Sequence, residues 1–287
     1  MKTIGFIGLG LMGEAMSKNI VAKFSGTVLV YDVNPAAIAT LTAAGAQAAG
    51  SVEEIAQQAD VIISMVPRSE HVQAIYRQML PWLHQGQITI DMSTIEPAVS
   101  EALAAEVAQK GAVMLDAPVV KSVQAAINGE LGIYIGGDKA AWEKVKPVLA
   151  MMGCNQIHMG QNGRGLVMKM LHNVQVAGIQ NSVNEMLTAA EHYNIPKAAF
   201  REAISYGGAA NFYLDSKINS LIAEDYRTAF SLQNMAKDVN IMKSMLETSG
   251  LHLPGVEVIK GVYDKGMESG LGGEDFCATF KVVKDNA

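Results

Sequence analysis

The first 32 residues hold the feature that most restricts the fold: a short apolar run, a turn reading Gly8-Leu-Gly10-Leu-Met-Gly13, a helical stretch, and a second apolar run, Thr27-Val-Leu-Val-Tyr-Asp32, that ends in a carboxylate. Each glycine answers a separate steric demand. Gly8 makes the tight turn out of the strand, Gly10 lets backbone approach a pyrophosphate, and Gly13 permits close helix packing. The helix expected from about Leu11 to Ala22 aims its free N–H groups at the phosphates. Asp32 stands roughly 20 residues beyond the turn, the offset at which an acid reaches a ribose 2′-hydroxyl. Its charge would repel a 2′-phosphate, and Val33, Asn34 and Pro35 bring no cation to hold one. The expected cofactor is therefore NAD, with NADH preferred over NADPH.

The same alternation continues. Helices are expected near Pro35–Ala44, Ser69–Leu80, Pro97–Lys110 and Lys139–Met151, and strands at Asp60–Val66, Gln87–Asp91, Ala112–Asp116 and Leu131–Ile135. Strands alternating with helices predict a parallel sheet covered on both faces, with ligands at the carboxyl ends of the strands. Beyond Asn162 the strand pattern stops. Apolar residues then recur at helical spacing through 166–193, 197–205, 211–223, 232–246 and 254–268. The fold class expected is α/β: a Rossmann-type doubly wound parallel sheet over residues 1–162, then an all-α domain over 163–287. The recurring Met168, Met170, Met235, Met242 and Met245 read as core filling.

Composition excludes several functions. A formal net charge of −6 without a Lys/Arg cluster offers nothing to nucleic acid. No apolar run approaches the roughly 20 residues that span a bilayer. Cys154 and Cys277 fit neither a metal spacing nor a disulfide framework, and no leader pattern precedes the first strand, so the expectation is a cytoplasmic protein without a metal.

Chemistry is expected at two places besides the glycine turn. Lys169 and Asn173 lie four apart in Gly163-Arg-Gly-Leu-Val-Met-Lys-Met-Leu-His-Asn173, so a cation and an amide share one helix face, away from Leu166, Met170 and Leu171. Hydride transfer to an aldehyde needs a proton donor at oxygen, and the reverse needs a base. A lysine serves both once desolvation, the helix N-terminus and the nicotinamide cation lower its ordinary pKa of about 10.4. The loop after Asp116-Ala-Pro-Val119 places Lys121 and Ser122 at a strand's carboxyl end, where they can hold a substrate anion.

Together these segments resemble the beta-hydroxyacid dehydrogenases, the group of 3-hydroxyisobutyrate dehydrogenase and tartronate semialdehyde reductase. The likeness covers essentially the whole chain. It rests on Gly5-Phe-Ile-Gly-Leu-Gly-Leu-Met-Gly13, Asp91-Met-Ser-Thr94, Asp116-Ala-Pro-Val119 with Asn128-Gly129, Gly163 to Lys169 with Asn173, and Lys237-Asp238. The resemblance implies that Lys169 is the acid/base and Asn173 positions substrate, with Val174 and Ala177 on the substrate side. It implies that Thr94 and Lys237 border the nicotinamide end, that Leu11, Met12, Asp32, Met65 and Val66 line the rest of the cofactor site, and that the helical parts build a homodimer or homotetramer.

Two positions depart from the family pattern. The loop usually reads Asp-x-Pro-Val-Ser-Gly-Gly, whereas this chain has Val120-Lys121-Ser122 in the last three places, so side chains are expected to grip the anion in place of two glycine amides. That arrangement is similar to the sulfolactaldehyde reductase branch, whose loop has Gly-Arg-Thr there. The substrate class expected is a small 3-hydroxy acid or its sulfonate analogue. His172 stands where the family commonly has Asn, either adding a hydrogen bond or packing. Two other functions fit a glycine turn of this kind, an NADPH-dependent imine reductase and a non-catalytic cofactor-binding module. Lys169 speaks against both, and Asp32 against the first.

Overall fold

The computed structural model describes residues 1–285. They divide into two compact units, the first running from Met1 to Lys169 and the second beginning at Met170. In the first unit, β1 (Thr3–Ile7), α1 (Leu11–Lys23), β2 (Thr27–Tyr31), α2 (Pro35–Ala43), β3 (Gln47–Ala48), α3 (Val52–Gln58), β4 (Val61–Ser64), α4 (Ser69–Met79), β5 (Ile88–Asp91), α5 (Pro97–Ala108) and β6 (Val113–Asp116) alternate. There follow β7 (Val119–Val120), α6 (Val123–Asn128), β8 (Gly132–Gly136), α7 (Lys139–Leu149) and β9 (Asn155–Gly160).

All nine strands join one sheet in the order β3-β2-β1-β4-β5-β6-β8-β7, with β9 on β8. Pairing from β3 through β6 is parallel. Successive side chains leave opposite faces, and this produces two cores. Ile4, Phe6, Val28, Val30, Val61, Ile63 and Ile90 pack on one face, and Ile7, Leu29, Ile62 and Met114 on the other. Strands buried on both sides explain the nearly unbroken apolar runs in the sequence.

The sheet is not parallel throughout, as the alternation had implied. β8 runs antiparallel to β6 and β7. A parallel return needs a crossover of a dozen or more residues, and only residues 121–131, eleven in all, connect β7 to β8. Instead of crossing the sheet, α6 stays beside α1, where the Asn19 amide donates to the carbonyls of Ala126 and Ile127 at 2.8 and 3.0 Å.

The helix α8 (Arg164–His192) runs through the division between the units, and α9 (Lys197–Ser205), α10 (Phe212–Ala223), α11 (Leu232–Ser249), α12 (Pro254–Glu268) and α13 (Thr279–Asp285) complete the second. Its core holds Met170, Leu187, Leu214, Met235, Met242 and Phe276, so three of the recurring methionines fill the interior. Gln180 of α8 draws this core together: its amide donates to the Phe276 carbonyl and the Thr279 hydroxyl, and it accepts from the Tyr263 hydroxyl. Among the described residues no helix is long and apolar enough to cross a membrane.

Candidate active site

Strand order reverses at β1, which has β2 on one side and β4 on the other. At such a switch point the loops diverge and leave a crevice at the carboxyl ends of the strands. Direct contacts tie the loops there in two pairs, those after β1 and β2 and those after β4 and β5. The Gly8 N–H donates to the Tyr31 carbonyl at 3.0 Å, and the Leu9 N–H to Asp32 Oδ2 at 2.6 Å. The Val66 N–H donates to Ser93 Oγ at 2.9 Å.

Packing dictates two of the three glycines. Gly8 has φ +93°, and a Cβ there would stand 2.3 Å from the Met65 carbonyl oxygen, while a Cβ on Gly13 would stand 1.9 Å from the Gly8 carbonyl oxygen. A Cβ on Gly10 would meet nothing within 4 Å. Packing gives no reason for that glycine, and its open side leaves room for a ligand's phosphates. Leu11 is 81% exposed on the first turn of α1, and Met12, Met65 and Val66 are half-buried around the turn.

Asp32 accepts from the Leu9 N–H and, on Oδ1, from the Asn34 N–H at 2.7 Å. A carboxylate has about four lone-pair sites, which leaves acceptors for ribose hydroxyls. The residues thus suit a dinucleotide: donors and space at Gly10, a carboxylate at the end of β2, and apolar side chains beside both.

Beneath these loops lies a polar cluster whose role the motif alone did not reveal. Asp91 ends β5 fully buried and accepts from the hydroxyls of Ser64 and Ser93, both at 2.7 Å. Since Ser93 also receives the Val66 N–H, Asp91 fixes both the Met65–Val66 loop and the segment leading to half-buried Thr94. Burial pushes the Asp91 carboxyl up to about 6, against the lowering effect of the two serines, and nearby Asp116 adds to the rise.

The Lys121 loop kept a conformation that its residue types did not suggest. Lys121 has φ +86°, in the left-handed region that favours glycine. The backbone shape of a glycine loop is thus present without the glycine. Lys121 and Ser122 are exposed, and Ser122 Oγ also accepts the Ala125 N–H at 3.3 Å as the cap of α6. Comparison of Val120-Lys121-Ser122 with the family's Ser-Gly-Gly was the one sequence signal for this strain.

Lys169, the last residue of the first unit, is 9% exposed on α8. One turn later, in the second unit, Asn173 is buried and its amide donates to Asp238 Oδ2 at 2.6 Å. Lys237 Nζ lies 3.2 Å from the other oxygen of the same carboxylate. Asp238 therefore joins Asn173 and Lys237, a connection invisible in the spacing. Val174 and Ala177 are placed in the helical core, where packing accounts for them. Leu171, off the face of Lys169 and Asn173, is 45% exposed, and His172 is half-buried.

A family model described as the NAD binding domain of 6-phosphogluconate dehydrogenase matches residues 3–160. A second, described as NAD-binding of NADP-dependent 3-hydroxyisobutyrate dehydrogenase, matches residues 163–283. The chain is 31% identical to the NAD-dependent L-serine dehydrogenase of Pseudomonas aeruginosa, over 98% of each chain. It is also 31% identical to the mitochondrial 3-hydroxyisobutyrate dehydrogenase of Drosophila melanogaster, over 99% of this chain and 90% of that one. The solved structure of Mycobacterium tuberculosis 3-hydroxyisobutyrate dehydrogenase with L-serine matches with a TM-score of 0.93 at 27% identity, covering 99% of both chains. Fold, glycine turn and these relatives agree on a dehydrogenase that uses a nicotinamide dinucleotide. The chain belongs to the beta-hydroxyacid dehydrogenase family.

Proposed function

We propose that the chain is an NAD(H)-dependent oxidoreductase interconverting a small 3-hydroxy acid, or its sulfonate analogue, with the corresponding aldehyde. Lys169 carries this reading: a lysine only 9% exposed, one helical turn before buried Asn173, in a chain with a complete dinucleotide turn. The substrates named for the relatives support it, since L-serine and 3-hydroxyisobutyrate are both carboxylic acids with a hydroxyl on the third carbon.

Gly10 and the start of α1 would hold the pyrophosphate, and Asp32 the adenosine ribose. Met65, Val66 and Thr94 would flank the nicotinamide half, with Lys237 at its far end. Bound there, the dinucleotide supplies hydride for reduction and accepts it in oxidation. Lys169 gives a proton to the carbonyl oxygen as the alcohol forms and removes the hydroxyl proton in the reverse direction. Asn173, its amide oriented by Asp238, holds the hydroxyl end, and exclusion of water strengthens each of these polar contacts. NADH is preferred because Asp32 opposes a 2′-phosphate and no cation follows it.

Lys121 and Ser122 hold the acid group. An ammonium and a hydroxyl offer donors in several directions, which suits the three oxygens of a sulfonate as well as the two of a carboxylate. The reading includes a homodimer or homotetramer formed through the helical part, where Met186, Tyr193 and Val258 are exposed apolar side chains that a subunit contact would cover. The free Cys154 and Cys277 suit a reducing cytoplasm.

The test is the initial rate of NADH oxidation with sulfolactaldehyde and with tartronate semialdehyde at matched low concentrations. Turnover of either supports the reaction. Preference for the sulfonate assigns Lys121 and Ser122 to that group, preference for the semialdehyde assigns them to a carboxylate, and turnover of neither, with no oxidation of L-serine or 3-hydroxyisobutyrate by NAD, defeats the reading.

A further inference from the structure

The longest helix of the chain begins without a cap of its own. α8 starts after Gly163, which has no side chain to accept the free N–H groups of the first turn. A strand supplies the acceptor. Asp116, fully buried at the carboxyl end of β6, accepts the Gly163 N–H on Oδ1 at 2.7 Å and the Leu166 N–H on Oδ2 at 3.0 Å. Those are the cap and third-position donors, which in a capping box are satisfied by two different side chains of the helix itself. Here one carboxylate, 47 and 50 residues away in sequence, satisfies both.

The carboxylate is closely confined. A Cβ on Gly136 would lie 2.4 Å from Asp116 Oδ1, and one on Gly165 would lie 2.8 Å from Oδ2. The turn before α8 is held as well, by the Asn162 amide donating to the Met114 carbonyl at 2.8 Å. The negative charge sits at the positive end of a helix, the favourable placement for an anion. Burial nevertheless raises the Asp116 carboxyl above its ordinary value, against the pull of the backbone donors.

We propose that Asp116 is a positioning residue for the reaction: by gripping both sides of the first turn of α8 it sets the depth and rotation of the helix, and so the place of the Lys169 ammonium. Leu166 precedes Lys169 by three residues, less than one helical turn, so no hinge lies between grip and amine. Asp116 touches no reacting atom. Its effect passes through the helix, and the inference rests on Lys169 being the acid/base.

Asp116→Asn keeps the shape and one acceptor but turns an amide N–H toward a second N–H donor. In the purified full-length enzyme the variant is expected to lower kcat about 10- to 100-fold, the scale of a misplaced reacting group. KM for NADH should stay within about twofold, because Gly10 and Asp32 are untouched. The primary isotope effect with NADH deuterated at the transferred position should rise as chemistry becomes more limiting. A kcat within about threefold of the parent, or a KM for NADH that climbs in step with the loss of kcat, overturns the proposal. Gly165→Ala sets a methyl 2.6 Å from the Tyr134 carbonyl oxygen and 2.8 Å from Asp116 Oδ2, so it shifts the start of α8 against the strand and the carboxylate together. It should give the same split between kcat and KM, and an unchanged kcat in this variant overturns the link from the first turn of α8 to Lys169 if Asp116→Asn does not fold. Lys169→Ala distinguishes the two ways of failing: it should lose about 10²- to 10⁴-fold in hydride transfer. If it stays active, the acid/base reading fails and the positioning role with it. If it is inactive while Asp116→Asn is fully active, the positioning role alone fails.

Discussion

Lys121 stands at φ +86°, a conformation that crowds an L side chain and costs about 1 kcal/mol or more. Strain of this kind persists at sites where the side chain is needed. Lys121→Gly relieves the strain but also loosens the unfolded chain, an opposing effect of about 0.4 to 1 kcal/mol. The variant is expected to range from neutral to about 1 kcal/mol more stable in urea unfolding, while KM for the anionic aldehyde rises about tenfold or more. Lys121→Ala should lose the same affinity without the stability gain. An unchanged KM in both variants would show that the ammonium does not hold the substrate anion. At this scale the sequence placed the charge at the end of a strand, because residue type and neighbours are local. The left-handed backbone was hidden, because nothing in a lysine announces it.

Among the elements, β4 and β5 carry Ser64 and Asp91 at their ends, and these form a buried cluster with Ser93 just after β5. An acid whose folded pKa is raised binds more protons in the native than in the unfolded state. Its contribution to stability is therefore present in full below the ordinary carboxylate range and is lost as pH rises through the folded value. With Asp91 moved from 3.8 to about 6, this group should weaken the fold by about 2 kcal/mol between pH 4.5 and 7.5. Asp91→Asn should remove that part of the pH dependence, read as a change in the stability difference between parent and variant across the interval. A difference that stays constant with pH would mean that Asp91 titrates normally. Long amphipathic helices such as α12 matched their expected ranges because periodicity over many residues is a strong signal. α3 escaped notice at seven residues, although Ser51 followed by Glu54 is a capping-box pattern: Ser51 Oγ accepts the Glu54 N–H, while Glu54 reaches one residue further back and accepts the Gly50 N–H. β9 was missed because Asn155-Gln-Ile-His-Met-Gly160 is a half-exposed polar strand without the apolar run of its neighbours.

For the molecule as a whole, the residues proposed to hold the cofactor, Lys237 apart, belong to the unit that contains the sheet, so a bound dinucleotide should stabilise that unit. NADH at about 100 times its Kd adds about 2.7 kcal/mol, or about 5 to 10 °C in the Tm of a unit this size. NADPH at the same concentration should add much less, and an equal or larger shift with NADPH would remove Asp32 from its role in cofactor choice. The sequence alone determined the alternating α/β half, the helical half, the family and the glycine turn with its acid, because these depend on patterns within a few dozen neighbouring residues. Tertiary structure decided what depends on residues far apart in the chain: the antiparallel β8, the link from Asn173 through Asp238 to Lys237, and the capture of the start of α8 by Asp116. Burial and hydrogen-bond geometry select such partners only once strands and helices have packed, and spacing along a chain does not encode which buried donor will need which acceptor.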